Sequence, residues 1–170
     1  WRSKKKKAQN MENFKKIQKK MGFELLLNEN RLIKKDEENI CVIGLENWGK
    51  GGFKKAGDLE KAIKKIKKSD FKILMTHDPS HWEAEILPHS FPFQVTLSGH
   101  THGMQFGIEI PGWIKWSPAS WRYKQWAGIY EHKKQVINVN RGFGFLAYPG
   151  RVGIWPEVTV IELKRKNLLI

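Results

Sequence analysis

Two short stretches, FKILMTHD at residues 71–78 and QVTLSGHTHG at residues 94–103, decide the fold. Each begins with a mostly apolar run of strand length, and histidine follows that run within a few residues. Residues 79–87 between them begin with a proline, which is typical of the start of a helix. A strand, a helix and a second strand in this order form a parallel crossover. Both histidine-bearing ends are therefore expected at the same carboxyl edge of a sheet.

Three histidines converge in this arrangement, because His77 follows the first strand and His100 and His102 follow the second. If the backbone is extended there, His100 and His102 face one cavity while Thr101 faces away. Imidazole is the commonest side-chain ligand of transition metals. A lone His-x-His sequence is more often surface or core histidine, but the joint placement indicates a metal site. His81 lacks this placement, and an exposed or packing role is expected for it.

The remaining patterns predict one α/β (α+β) domain over residues 1–170, with mixed sheets. A helix is predicted over residues 1–20, and strands over residues 23–27, 31–34 and 40–45. Asp58 is a plausible N-cap for a second helix, whose apolar face is Leu59, Ala62, Ile63 and Ile66. Residues 129–132, 136–140 and 158–163 predict antiparallel strands, separated by long loops over residues 111–126 and 142–156.

Composition narrows the function classes. The chain has 170 residues, a formal net charge of +14 and one cysteine. Cys41 lies in an apolar run, so a buried thiol is expected rather than a disulfide or a cysteine-rich zinc site. The lysines predict either the solvated faces of helices or attraction to an anionic partner. The chain begins with Trp1, and we expect it to be an amino-terminally truncated domain.

The sequence resembles the calcineurin-like metallophosphoesterases. The resemblance rests on residues 73–79 and 97–105, and extends through residues 139–144 (VNRGFG) and 151–163. The late segment is similar to a bacterial membrane-associated or exported subgroup, which includes enzymes acting on phosphate esters and lipid-linked pyrophosphates. The resemblance implies the carboxyl-terminal half of a four-layer α/β/β/α sandwich.

The family resemblance implies a site for two divalent metal ions, with Mn, Fe, Zn, Mg and Ni as candidates. In that case His77 and His100 are ligands of one metal, and His102 is a ligand of the other. The family's earlier motifs, Asp-x-His, Gly-Asp-x-x-Asp and Gly-Asn-His, do not occur in the chain. Two metals need a bridging carboxylate to screen their repulsion. We therefore expect this chain to hold at most one metal weakly and to be inactive alone, with the general-acid histidine upstream of Trp1.

Substrate contacts are predicted at Arg141, Asn47 and Trp48. A guanidinium suits a phosphate group, although a structural arginine in a loop is equally consistent with the pattern. Asn47 and Trp48 follow a strand and either line the cleft or pack in an ordinary loop. The expected substrate is a phosphate ester or a lipid-linked phosphate.

The loop over residues 111–126 combines tryptophans with cations, namely Trp113, Trp116, Trp121 and Trp126 with Lys115, Arg122 and Lys124. This composition suits a membrane interface, or a large loop held to the core by its tryptophans. We expect a membrane-associated or exported bacterial protein, with a cytoplasmic one as the alternative. Two other hypotheses are open. The protein is a degenerate family member that keeps the fold as a scaffold, or it is a basic, Trp-rich module that binds an acidic membrane surface or nucleic acid. The basic module explains the positive charge but not the histidines, and nucleic acid is not the partner we expect.

Overall fold

A computed structural model describes residues 3–35, 38–49 and 55–164. Its two α-helices are α1 (Lys4–Lys20) and α2 (Leu59–Ala62). The eight strands are β1 (Glu29–Lys35), β2 (Glu38–Gly44), β3 (Phe71–Met75), β4 (Val95–Ser98), β5 (Ile108–Ile110), β6 (Ile114–Trp116), β7 (Gly128–His132) and β8 (Gln135–Val139). Three short turns of helix complete the fold: a π-helical turn at Trp82–Ile86 and 3-10 turns at His102–Gln105 and Pro118–Trp121.

Six strands form one mixed sheet in the order β1-β2-β3-β4-β8-β7, and β5 and β6 form a separate hairpin. Strands β2, β3, β4 and β8 are parallel, while β1 and β7 pair antiparallel at the two edges. This confirms the predicted α/β class with mixed sheets, and it confirms the parallel crossover from β3 to β4. The four-layer sandwich stays a prediction, as does the assignment of residues 1–170 to one truncated domain.

One face of the large sheet carries the main core. Its fully buried residues come from the central strands and from the segments that cover them: Cys41, Ile43, Leu74, Ile137 and Val139 from the strands, and Leu59, Ala62, Trp82, Ile86 and Phe93 from the covering segments. Cys41 is 1% exposed, which confirms the expected buried thiol. The core therefore contains side chains of β2, β3 and β8, and β4 is hydrogen-bonded between β3 and β8.

Several predicted elements differ from the observed ones. Residues 23–27 form no strand, and α2 ends at Ala62 rather than running to Ile66. The predicted helix over 79–87 is a five-residue π-helical turn. Residues 158–163 form no strand and join neither sheet; in this segment Thr159 Oγ1 accepts a hydrogen bond from Asn140 Nδ2. The described helices include none that is both long and apolar enough to cross a bilayer.

Candidate metal centre

The carboxyl ends of β3 and β4 bring His77 and His100 together. The Thr76 amide donates to the Leu97 carbonyl at 3.0 Å, and the Gly99 amide donates to the His77 carbonyl at 3.1 Å. The ladder thus continues past both strands into the histidine loops. His77 Nε2 lies 3.1 Å from His100 Nδ1, with the two rings in an edge-to-face arrangement. The predicted convergence of these two side chains is observed, and their role as metal ligands stays a prediction.

The spacing of the two nitrogens fits one metal ion. Ligand nitrogens about 2.1 Å from a common cation stand about 3.0 to 3.4 Å apart for right-angled to tetrahedral geometry. Burial lowers the pKa of both imidazoles; His100 lowers that of His77 further, and His102 and Arg122 lower that of His100. Neutral imidazoles are the form that binds metals. Two donors make an incomplete shell, and the described residues contain no group of three or more His, Cys, Asp or Glu side chains arranged around one cation.

His102 stands in a different backbone conformation from the one expected. The φ angles of His100 and His102 are 71° and 50°, so the premise of an extended His-x-His segment is wrong. The segment turns because Thr101 caps it: the Thr101 hydroxyl accepts from the Gly103 amide and donates to the Trp126 carbonyl. Thr101 therefore points into the interior, while His102 begins the 3-10 turn.

The Nδ1 atom of His102 is buried and has no hydrogen-bond partner in the described part of the chain. Burial lowers the pKa of this ring, and the nearby Arg151 lowers it further. A buried, neutral imidazole nitrogen without a partner costs free energy, which a bound group can recover.

Tyr123 also contacts His100, and the sequence analysis did not predict this contact. Its Oη lies 2.8 Å from His100 Nε2, the ring nitrogen opposite the one that faces His77. Ligating histidines usually bond through their second nitrogen to a neighbouring group that orients the ring. Tyr123 lies 23 residues from His100 in a loop dominated by tryptophans. No local pattern pointed to this contact.

His81 is fully buried directly behind the site, which confirms the packing role expected for it. Its Nδ1 bonds Thr76 Oγ1 and its Nε2 bonds Glu85, each at 3.0 Å, and its ring stacks on Trp48. The resulting chain from Glu85 through His81 to Thr76 ends one residue before His77. His81 follows His77 by four residues in the sequence.

The predicted substrate residues lie in different surroundings. Asn47 accepts two backbone hydrogen bonds through its carbonyl, from Ala56 and Gly57, and so holds the loop after β2. Trp48 stacks on His81 and lies 5.0 Å from Lys55 Nζ. These contacts give both residues structural roles, and their substrate role stays a prediction.

Arg141 is bound by two carboxylates. Its Nε donates to Glu157 at 2.8 Å, and its NH1 donates to Glu109. Burial opposes its charge, but these two partners raise its pKa overall. Neighbouring Arg151 donates to the carbonyls of His102 and Arg141 and thereby ties the two loops together. The arrangement favours the structural alternative for Arg141, while its contact with phosphate stays a prediction.

The tryptophans of the 111–126 loop divide into two kinds. Trp126 is buried in a second, small core with Ala119, Ala127 and Ile154. Trp113 and Trp121 are 82% and 79% exposed. The loop is therefore held by one tryptophan and exposes others to solvent.

Comparison with known proteins supports the metallophosphoesterase resemblance. The chain is 34% identical over 110 residues to YkuE of Bacillus subtilis (strain 168), described as an uncharacterized metallophosphoesterase. The match covers 65% of this chain and 37% of that protein, so the chain spans little more than a third of its relative's length. No family profile matches the chain, and no solved structure matches it.

Proposed function

We propose that this chain supplies His77, His100 and His102 to the metal centre of a metal-dependent phosphoesterase. The observation that carries the proposal is the 3.1 Å approach of His77 Nε2 to His100 Nδ1 at the carboxyl edge of two parallel strands. Similarity to an uncharacterized metallophosphoesterase supports the same conclusion. The reaction is hydrolysis of a phosphate ester or pyrophosphate bond, with a phosphate ester or a lipid-linked phosphate as substrate.

In this proposal the chain's own residues hold the metal ions and orient the ligand rings. His77 and His100 present neutral nitrogens to one divalent ion, and Tyr123 fixes the His100 ring from behind. His102 presents a nitrogen for the second ion. Bound divalent ions supply an activated water and neutralise phosphate charge. Because three neutral imidazoles bring no negative charge to screen two cations, the chain alone is proposed to be inactive.

Titration of the chain with Mn2+ tests the first half of this proposal. We expect weak binding of at most one ion, abolished by His100→Ala and unchanged by His132→Ala, a matched variant at an exposed position. No binding, or equal binding by both variants, would overturn the metal assignment. Phosphodiesterase and pyrophosphatase assays with Mn2+ test the second half, and turnover by this chain alone would contradict its proposed inactivity.

A second proposal concerns an exposed apolar surface, here called the aromatic rim. It consists of the large apolar residues that are 50% or more exposed on the β5–β6 hairpin and on loop 142–156: Ile108, Trp113, Phe143, Phe145, Leu146, Tyr148 and Trp155. Gln105 Nε2 donates to the carbonyls of Tyr148 and Gly150, and the Gly107 amide donates to the Val152 carbonyl. These bonds fasten the loop to the segment that leads from the histidine turn into the hairpin.

We propose that the aromatic rim contacts an anionic membrane surface and that the protein is membrane-associated or exported in a bacterium. Exposed tryptophan and tyrosine suit the headgroup region, and a net charge of +14 favours acidic lipids. Co-sedimentation with vesicles containing phosphatidylglycerol is expected to fall with the double variant Trp113→Ser/Phe145→Ser, and not with Lys133→Gln. Equal sedimentation of all three proteins, or tighter and salt-sensitive binding to DNA, would contradict this second proposal.

A further inference from the structure

A cleft of about 320 Å3 lies beside the histidines. It is lined by Ser80, Glu83, Ala84, Arg122, Tyr123, Lys124 and Gln125. Tyr123 is the wall that the cleft shares with the metal centre, because its hydroxyl bonds His100. A ligand in this cleft is therefore separated from His100 by one side chain.

The charged side chains that line the cleft differ in whether they form ion pairs. Glu83 Oε1 accepts from Lys124 Nζ at 2.7 Å and from Gln125 Nε2 at 2.8 Å. The Glu83–Lys124 ion pair leaves little net charge from these two residues. Arg122 makes no ion pair with a carboxylate of the described residues, and its guanidinium lies 5.8 Å from the Tyr123 ring centroid.

Arg122 is linked to the histidine pair through Tyr123. The Tyr123 hydroxyl lies 2.8 Å from His100 Nε2 and also makes a side-chain hydrogen bond with Arg122. Arg141 differs from it, because its donors are engaged by Glu109 and Glu157. A planar guanidinium has more N–H donors than one phenol hydroxyl engages, so Arg122 keeps donors for bidentate contact with phosphate oxygens.

We propose that Arg122 anchors the phosphoryl group of the substrate at the mouth of this cleft, beside the cation held by His77 and His100. The ligand class is a phosphate monoester or diester, whose non-bridging oxygens carry the negative charge that Arg122 and the cation share. This inference rests on the proposed phosphoesterase function. It assigns the phosphate-binding arginine to Arg122 rather than to Arg141.

The test uses the full-length protein encoded by the gene, loaded with Mn2+, and inorganic phosphate as the probe. Calorimetric titration is expected to show phosphate binding about 10- to 100-fold weaker in Arg122→Gln, the loss typical of one hydrogen-bonded charged partner. Arg122→Lys should recover part of this loss. Lys134→Gln, which removes the same charge at the β7–β8 turn, should bind phosphate within about twofold of the unaltered protein.

A separate Mn2+ titration distinguishes the two ways of failing. If the unaltered protein binds no Mn2+, the proposed function fails and this inference falls with it. If Mn2+ binds normally but Arg122→Gln and Lys134→Gln bind phosphate equally, only the Arg122 assignment is overturned. Normal Mn2+ binding in Arg122→Gln with weakened phosphate binding supports both.

Discussion

His100 is held on both sides of its ring. Nδ1 faces His77 Nε2, and Nε2 faces the Tyr123 hydroxyl. The two nitrogens of a neutral imidazole are a donor and an acceptor, so the partner of one decides what the other offers. If the phenol oxygen accepts the Nε2 hydrogen, the Nδ1 lone pair is left for the cation. Tyr123 is in this sense a positioning residue.

Replacing Tyr123 with Phe is expected to weaken Zn2+ binding about tenfold, because loss of an outer hydrogen bond to a ligating histidine typically has this effect. The 15N shifts of His100 should also show a smaller share of the form protonated on Nε2. Tyr148→Phe, at an exposed ring, serves as the control. Unchanged 15N shifts in Tyr123→Phe would refute the positioning role, whatever the affinity.

Asn28 is a second residue whose side chain makes several structural hydrogen bonds. It is 4% exposed and has a φ of 57°, a conformation that asparagine tolerates better than most residues. Its amide group bonds Glu46 Oε2 and the Ala56 carbonyl, and its side-chain oxygen accepts from the Glu46 and Asp58 amides. Asn28→Ala should cost about 2–4 kcal/mol in urea unfolding, since buried partners are left unsatisfied. Asn10→Ala, on the exposed surface of α1, should be neutral or stabilising by under about 1 kcal/mol, because alanine has the higher helix propensity.

At the scale of elements, the sequence predicted the parallel crossover because the apolar runs at 71–75 and 94–97 are short, regular and followed by polar residues. It did not predict that the segment after Pro79 would form only a π-helical turn, because hydrophobic spacing does not separate helix types. The 158–163 run alternates like a strand, but a strand also needs a partner to pair with, and this run joins neither sheet. Which segments pair is decided by long-range topology rather than by local pattern.

The close packing of the β5–β6 hairpin can be tested at Gly107. A Cβ added at Gly107 would lie 2.2 Å from the Trp116 carbonyl oxygen and 2.8 Å from Ile154 Cδ1. Gly107→Ala should therefore destabilise the protein by about 1–3 kcal/mol, measured by chemical denaturation. Gly144→Ala is the matched control, since nothing lies within 4 Å of its added Cβ. Equal midpoints for the two variants would mean that the hairpin is not packed on Ile154.

For the molecule as a whole, the order of the sheet strands could not be predicted. β8 inserts beside β4, and its hairpin partner β7 forms the outer edge. Periodicity identifies such strands but carries no information about which long-range neighbour each one pairs with. The histidine pair was predictable because it depends only on the β3–β4 crossover. Tyr123, Arg122 and the left-handed turn at His102 depend on long-range loop packing and were not.

Stability of the whole chain should fall in mild acid. Burial lowers the pKa of His81 below that of an exposed histidine, although Glu85 and Asp78 favour its protonated form; Lys55 opposes protonation. Below about pH 6.5 the unfolded chain therefore binds a proton that the folded chain does not, so stability decreases as pH falls, by at most about 1.4 kcal/mol per pH unit for this residue. Glu85, with its pKa lowered to about 2, stays ionised across this window in both states.

Urea midpoints at pH 7.5 and 5.5, measured with EDTA, check this prediction. The decrease should be smaller in His81→Gln than in the unaltered chain. His132→Gln, at an exposed position, should leave the decrease unchanged. A decrease of the same size in all three proteins would exclude His81 as its source.

The approach of His77 to His100 also has a consequence for folding. The two residues are 23 positions apart, so a cation shared by their nitrogens would close that loop and clamp β3 against β4. A ligand that binds only the folded state stabilises it by mass action, by about 2.7 kcal/mol at a hundred times its dissociation constant. The same ion proposed for catalysis would then act as a reversible cross-link, coupling the persistence of the fold to the metal supply of its compartment.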